Sequence, residues 1–158
     1  MKHANREMIA ASVLILGICL AANGQRPSEV VKWSASIMGT TSSSPFAMVT
    51  ATILGGWHIY ALSQSSGGPT PLKISIPVGS SFALSGPVPE TKVSRRFDSN
   101  FNMETIFYIE TATLHLPLKE TGAAVADELP IDVRFQACND KLCLPPYTAH
   151  LSVDLKRR

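Results

Sequence analysis

The stretch IDVRFQACNDKLCLPP, residues 131–146, combines a clear strand pattern with two of the three cysteines in the chain. Ile131, Val133 and Phe135 alternate with polar residues, which is typical of a β-strand with one buried face. Cys138 and Cys143 follow directly and precede two prolines, which cannot donate ladder hydrogen bonds. The stretch therefore predicts a strand that leads into a hairpin-like loop, with two thiols at disulfide distance and their sulfur side accessible.

The same alternation recurs along the rest of the chain. Its apolar positions fall within residues 49–53, 74–78, 112–118 and 149–155, and a further strand is predicted around Trp33, Ala35 and Ile37. Turns rich in glycine, serine and proline separate these runs, and there is no long amphipathic pattern of helical period. Several short strands at this spacing predict an all-β sandwich or barrel. Residues 87–102 are polar without a clear period, and we interpret them as a long functional or mobile loop.

The N-terminus has the pattern of an export signal. Lys2 and Arg6 precede an apolar run over residues 8–22, and small residues precede Gln25. The run is about fifteen residues long, short of the roughly twenty needed to span a bilayer, although a retained membrane anchor is the alternative. We expect residues 1–24 to be cleaved, which would remove Cys19, and residues 25–158 to form a single domain. Ile18 argues against lipid attachment at Cys19, because a small residue is expected there.

The charge pattern gives little support for nucleic-acid binding. The chain has 14 Lys and Arg against 12 Asp and Glu. The basic residues are scattered, apart from Arg95-Arg96 and the C-terminal cluster, and no basic stripe alternates with aromatic residues.

The small ring between the cysteines favours redox exchange over structural stabilisation. In the chain-entropy estimate, a ring of six residues stabilises by roughly 2 kcal/mol, against about 3 kcal/mol for fifteen residues. A structural disulfide in an exported domain remains the alternative. Metal binding has weaker support, since only His150 joins the two cysteines as a nearby ligand. Lys141 and Asp140 act in opposite directions on a nearby thiolate, so the better nucleophile is not determined by the sequence.

Four segments carry a resemblance to a known family, and they are Gln136-Ala137-Cys138, Cys143-Leu144-Pro145-Pro146, Gly56-Trp57-His58-Ile59-Tyr60 and Leu114-His115-Leu116-Pro117. Through them the chain, from about residue 33 to residue 155, resembles the N-terminal periplasmic domain of the thiol:disulfide interchange protein DsbD. The resemblance implies an immunoglobulin-like β-sandwich and a protein-disulfide reductase type of activity. It also implies electron transfer from a membrane thiol transporter to periplasmic thioredoxin-fold proteins, with no metal or organic cofactor. The alternative is a non-enzymatic immunoglobulin-like binding module with a structural Cys138–Cys143 disulfide.

The resemblance also implies a role for individual residues. Cys143 would attack the partner's disulfide, and Cys138 would resolve the mixed disulfide. His58 and Tyr60 would flank the cysteines, with His58 replacing a tyrosine that is often found in the family. Phe101 would cap the disulfide until a partner arrives, with Phe97 as the alternative.

Two departures from the family pattern qualify these expectations. The cysteine spacing is one residue shorter than in the best-known members, which can alter the loop geometry. If the chain ends at Arg158, a separate membrane partner would have to reduce the domain again.

Overall fold

The computed structural model describes residues 24–38, 45–124 and 126–156. Residues 1–23 of the predicted export signal, Cys19 among them, lie outside these ranges. The elements in chain order are α1 (Pro27–Val30), β1 (Val31–Met38), β2 (Phe46–Ile53), β3 (His58–Tyr60), β4 (Lys73–Ser75), β5 (Phe82–Leu84), β6 (Ser94–Asp98), β7 (Met103–Ile109), β8 (Thr111–Glu120), β9 (Glu128–Phe135), β10 (Ala137–Cys138) and β11 (Tyr147–Asp154). None of the helical residues in the described ranges forms a segment long and apolar enough to cross a membrane.

The strands form antiparallel sheets that pack as a sandwich. One sheet has the order β1-β2-β8-β5, and two further sheets have the orders β10-β3-β7-β6 and β11-β9-β4. Only Gln136 separates β9 from β10, so one stretch of chain connects the second and third sheets. At the edge, β1 contacts β11, and the Trp33 ring lies 5.5 Å from the ring of Phe135.

Alternating apolar residues build the core between the sheets. On β2, β8 and β9, every second side chain is buried, as the period-two pattern predicts. The fully buried set includes Val49, Leu114, Leu116, Ile131 and Val133. Each such side chain stabilises the fold by about 1.5–3 kcal/mol relative to exposure. The all-β prediction is confirmed.

Two of the local predictions are wrong. The strand expected over residues 74–78 is β4, which ends at Ser75 and leaves Val78 fully exposed. The stretch 87–102, interpreted as a loop, contains β6. This strand has no apolar period because it lies at the sheet edge, where most of its side chains are exposed.

The β10-β3-β7-β6 sheet is covered on both faces. Ile59 is aligned with Ala137 on one side and Tyr108 on the other, and all three residues belong to the main core. The opposite face carries a second cluster, whose members are Tyr60, Phe107 and Cys138, with Phe101 and Cys143 packed against it. We call this opposite face the outer face. It carries an apolar cluster separate from the core that holds the sandwich together.

Candidate functional site

A disulfide joins Cys138 to Cys143 on the outer face. The two residues are directly opposite in an isolated antiparallel bridge, with their Cα atoms 4.0 Å apart. Backbone hydrogen bonds flank them on both sides, from Asn139 N to Leu142 O and from Leu144 N to Ala137 O, each 2.9 Å long. This is a non-hydrogen-bonded antiparallel pair, the arrangement in which opposite side chains approach most closely. The hairpin-like connection predicted between the cysteines is therefore present.

Asn139 shapes the turn between the cysteines. Its Oδ1 accepts hydrogen bonds from the backbone N–H groups of Lys141 and Leu142, both 2.9 Å long. Such an Asx-type turn substitutes a side-chain acceptor for a backbone carbonyl and so holds a short loop in one conformation. Asp140 and Lys141 are exposed at the tip of the turn.

The two sulfurs differ in their access to solvent. Cys138 is 0% exposed, whereas Cys143 is partly exposed. The expectation that the sulfur side of the loop is accessible is therefore wrong for Cys138. β10 lies between β3 and the Cys143 segment, so Cys138 is enclosed on both sides while Cys143 lies at the margin.

Phe101, the predicted cap, lies on the outer face with the disulfide. It belongs to the turn between β6 and β7, which we call the cap loop (residues 99–102), and it packs against the cluster that contains Cys138. Its ring meets the ring of Tyr60 edge-on, with centroids 5.6 Å apart. Phe97, the alternative cap, is 65% exposed and lies outside this cluster.

His58 and Tyr60 both lie on the outer face, two positions apart on β3. Both side chains are buried. Their rings make an edge-on contact with centroids 5.2 Å apart. The Tyr60 hydroxyl lies 3.9 Å from Cys143 Sγ and donates a 2.6 Å hydrogen bond to Asp98 Oδ2.

Asp98 is a buried carboxylate at the centre of this polar group. Its Oδ1 accepts a 2.9 Å hydrogen bond from the backbone N–H of Asn100. Burial raises the pKa of Asp98, but the hydrogen bonds from Tyr60 and Asn100 outweigh it and leave the pKa below its ordinary value. Burial, together with the bond to Asp98, raises the pKa of Tyr60. At neutral pH Asp98 is therefore ionised and Tyr60 is a neutral donor.

His58 faces the same carboxylate without a hydrogen bond to it. Its Nε2 lies 3.8 Å from Asp98 Oδ2 and has no hydrogen-bond partner within the described part of the chain. Burial lowers the pKa of His58, and Arg96 lowers it further, against the opposing effects of Asp98 and Asp140. The imidazole is therefore neutral at neutral pH.

Two polar contacts connect the cap side of the site to the cysteine turn. Arg96, on β6, forms a 3.1 Å ion pair with Asp140 and places its guanidinium 4.8 Å from the centre of the Phe107 ring. In the cap loop, Asn100 Nδ2 donates a 3.3 Å hydrogen bond to the carbonyl of Asn139. We refer to the Arg96–Asp140 and Asn100–Asn139 contacts together as the latch.

Sequence reasoning assigned no role to Asp98, Arg96 or Phe107. Phe107 had a usable signal, because Thr105, Phe107 and Ile109 alternate with Ile106 and Tyr108 in a run rich in strand-forming residues. Asp98 and Arg96 had no such sequence signal, because Tyr60, the partner of Asp98 on β3, and Asp140, the partner of Arg96 in the cysteine turn, are distant in sequence.

His150, the third metal ligand considered, contacts Asp132 on a different sheet from the cysteines. Its Nδ1 lies 2.7 Å from Asp132 Oδ1, on the exposed face of the β11-β9-β4 sheet. Across the residues with described positions, no group of three or more His, Cys, Asp or Glu side chains is arranged to hold a metal ion.

The fold and the site together define an immunoglobulin-like β-sandwich with a hairpin disulfide in an aromatic cluster on its outer face. The family described as the N-terminal domain of the thiol:disulfide interchange protein DsbD matches residues 27–155, and the chain belongs to this family. The resemblance noted in the sequence is thereby confirmed.

Two solved structures share the fold. The reduced DsbD N-terminal domain of Neisseria meningitidis has a TM-score of 0.56 and 15% identity, over 82% of this chain and 89% of that one. The N-terminal periplasmic domain of ScsB from Proteus mirabilis has a TM-score of 0.61 and 16% identity, over 84% of this chain and 49% of that one. No curated protein sequence gives a match.

Proposed function

We propose that this domain is a thiol:disulfide carrier that donates two electrons from its reduced cysteine pair to a partner disulfide. Membership of the DsbD N-terminal family supports this function. The observation that carries it is the asymmetry of the pair, in which a partly exposed Cys143 is bonded to a wholly buried Cys138. A purely structural bridge has no need of one reachable sulfur beneath a separate aromatic cap.

On the basis of this asymmetry and the family, we assign one step to each cysteine. The thiolate of Cys143 attacks a sulfur of the partner's disulfide, which forms a mixed disulfide and releases the partner's other sulfur as a thiolate. The thiolate of Cys138 then attacks Cys143 Sγ, which restores the intradomain disulfide and releases the second partner thiolate. The domain loses two electrons and two protons as its dithiol becomes a disulfide, and the partner gains two electrons and two protons as its disulfide becomes a dithiol.

The surrounding residues control access in this proposal. Phe101 covers Cys143 in the oxidised domain and moves aside when a partner docks, because thiol exchange requires access to the attacked sulfur. The Tyr60 hydroxyl lies 3.9 Å from Cys143 Sγ, and it would donate its one proton to a Cys143 thiolate only by releasing Asp98.

The proposed partners follow from the same family. A membrane thiol transporter would reduce the domain, and a thioredoxin-fold protein would accept its electrons, with no metal or organic cofactor. We place the domain in the periplasm or outside the cell after cleavage near Gln25. The intact mass of the exported protein tests this placement, and a mass that includes residues 1–24 or a lipid on Cys19 would contradict it.

Trapping of the mixed disulfide tests the carrier function. Cys138→Ser keeps the attacking thiol and removes the resolving one, so this variant should accumulate a covalent complex with a thioredoxin-fold protein. The complex should appear as a band of combined mass that disappears on reduction. Cys143→Ser is the matched control and should trap far less, because its remaining thiol is buried.

The other outcomes are equally informative. Trapping by Cys143→Ser in place of Cys138→Ser would reverse the two roles and keep the carrier function. If neither variant traps a partner, and wild-type protein transfers no electrons, the bridge is structural and the domain is a binding module.

A further inference from the structure

Cys138 presents a chemical problem for the proposed carrier. Its thiol must lose a proton before it can resolve the mixed disulfide, because the thiolate is the nucleophile. The side chain is fully buried in the cluster with Tyr60 and Phe107, and apolar surroundings disfavour the thiolate. Solvent does not reach this sulfur, so a neighbouring group has to take the proton.

His58 is the cross-strand neighbour of Cys138. The two residues are directly paired between β3 and β10, and both side chains lie on the outer face. Side chains paired in this way have Cβ atoms roughly 4.5–5.5 Å apart. His58 is 3% exposed and Cys138 is 0% exposed, so the two groups share one desolvated space.

The other ionisable groups around His58 are poorer proton acceptors. Tyr60 is a neutral donor already bonded to Asp98, and Arg96 has no acceptor atom. Asp98 accepts bonds from Tyr60 and Asn100, which hold its pKa low and make it a weak base. Asp140 is exposed at the turn and paired with Arg96. The neutral imidazole of His58 therefore remains as the best proton acceptor. Its buried Nε2 has no hydrogen-bond partner within the described residues.

We propose that His58 accepts the proton of Cys138 in the resolving step, and that Asp98 stabilises the imidazolium that forms. This inference rests on the proposed carrier function and assigns a role to a residue that departs from the tyrosine often found at this position. Asp98 Oδ2, 3.8 Å from Nε2, is already placed to attract the protonated ring.

The step balances as follows. The Cys138 S–H bond breaks, its proton moves to the imidazole, and the thiolate attacks Cys143 Sγ. The bond from Cys143 to the partner sulfur breaks as the Cys138–Cys143 bond forms, and the partner leaves as a thiolate. A small cavity of about 130 Å³, lined by His58, Asp98, Asn100 and Asn139 among others, connects the imidazole to polar surroundings. Through it the proton returns to the leaving thiolate or to solvent.

The test uses 5,5′-dithiobis(2-nitrobenzoate) as the disulfide and the reduced wild-type domain in a stopped-flow instrument. Attack by Cys143 releases one coloured thiolate in a phase that depends on reagent concentration. Resolution by Cys138 releases the second coloured thiolate in a phase whose rate does not depend on reagent concentration. In His58→Phe the second phase should slow by about 100-fold at pH 7, the lower end of the effect of a positioned general base. The first phase should be unchanged.

The pH profile separates a proton-accepting role from a structural one. Because burial holds the pKa of His58 below its ordinary value of 6.5, the imidazole is a free base at pH 7. The wild-type second phase should therefore be level near neutral pH and fall only as the pH drops through the lowered pKa. In His58→Phe it should instead rise about tenfold per pH unit until the thiol itself ionises.

His150→Phe is the matched control, because this exposed histidine lies on another sheet and should leave both phases unchanged. His58→Gln provides a second variant if circular dichroism shows that His58→Phe does not fold. An unchanged second phase in the folded variants, or a wild-type phase that rises tenfold per pH unit through neutrality, overturns the role of His58 and leaves the carrier function intact. Absence of any second phase in the wild type would instead count against the carrier function itself.

Discussion

Cys138 and Cys143 are bonded to each other, yet Cys138 is fully buried and Cys143 is partly exposed. Cys138 lies between β3 and the Cys143 segment, whereas Cys143 is bridged on one side only among the described residues. Phe101 packs against the same cluster as Cys143, and its ring contacts Tyr60. In the proposed carrier, reactivity at the scale of the residue is set by which side chains lie near the exposed sulfur.

Phe101→Ala should make dithiothreitol reduce the disulfide several times faster, because it uncovers Cys143. Phe101 is only partly buried, so the loss of stability should stay below the about 3–5 kcal/mol typical of a fully buried phenylalanine. Phe97→Ala is the matched control, since this side chain is 65% exposed and should leave the rate unchanged. Equal rates in the two variants would contradict the cap assignment, as would unfolding of Phe101→Ala.

At the scale of the element, the cap loop and the cysteine turn are connected by polar contacts at their tips. The Arg96–Asp140 pair is largely exposed, with the Asp140 side chain 85% accessible. Exposed ion pairs of this kind contribute about 0.2–1 kcal/mol. In the proposed carrier, a latch of this strength would hold the cap loop closed and still allow a docking partner to open it.

Combining Asp140→Asn with Asn100→Ala should raise the population of the open cap loop by up to about fivefold, the equivalent of about 1 kcal/mol. The measurement is amide hydrogen exchange at Phe101, whose N–H donates to the Asp98 carbonyl in the closed loop. Glu104→Gln removes the Arg95–Glu104 pair on the neighbouring strands and serves as the control. Exchange at Phe101 that matches the wild type would show that the latch does not hold the loop.

At the scale of the whole molecule, the apolar residues form two separate clusters. The main core lies between the sheets and contains neither Cys138 nor Cys143. The cluster on the outer face contains the disulfide and its cover. This separation lets the disulfide open and close without disturbing the packing that holds the sandwich together.

Replacing both cysteines with serine should therefore leave a folded domain. Urea denaturation should give a free energy of unfolding lower by roughly 2 kcal/mol, the contribution of a six-residue ring. The reduced wild-type domain is the matched control and should lose a similar amount. A double variant that is unfolded in the absence of urea would show that the bridge is needed for folding.

The sequence alone determined the strand class, the main core and the cysteine pair, because these depend on local periodicity and close spacing. Alternation on β2, β8 and β9 specifies which side chains face inward, and the short loop places Cys138 opposite Cys143. Only the tertiary structure decided the surroundings of the sulfurs. Tyr60 reaches Asp98 across 38 positions and Cys143 across 83. Contacts between segments so far apart depend on how the sheet is assembled and have no local pattern.

The residues of β3 and of the turn after β6 show the same difference between what the sequence determines and what the tertiary structure decides. Alternation places His58 and Tyr60 on one face of a strand, but it cannot distinguish an exposed face from one covered by distant loops. Burial of that face lowers the pKa of His58 beside Asp98, and the turn after β6 brings Phe101, rather than Phe97, to the cluster that contains Cys138. Both outcomes depend on desolvation by residues remote in sequence, and desolvation exists only once the chain has folded.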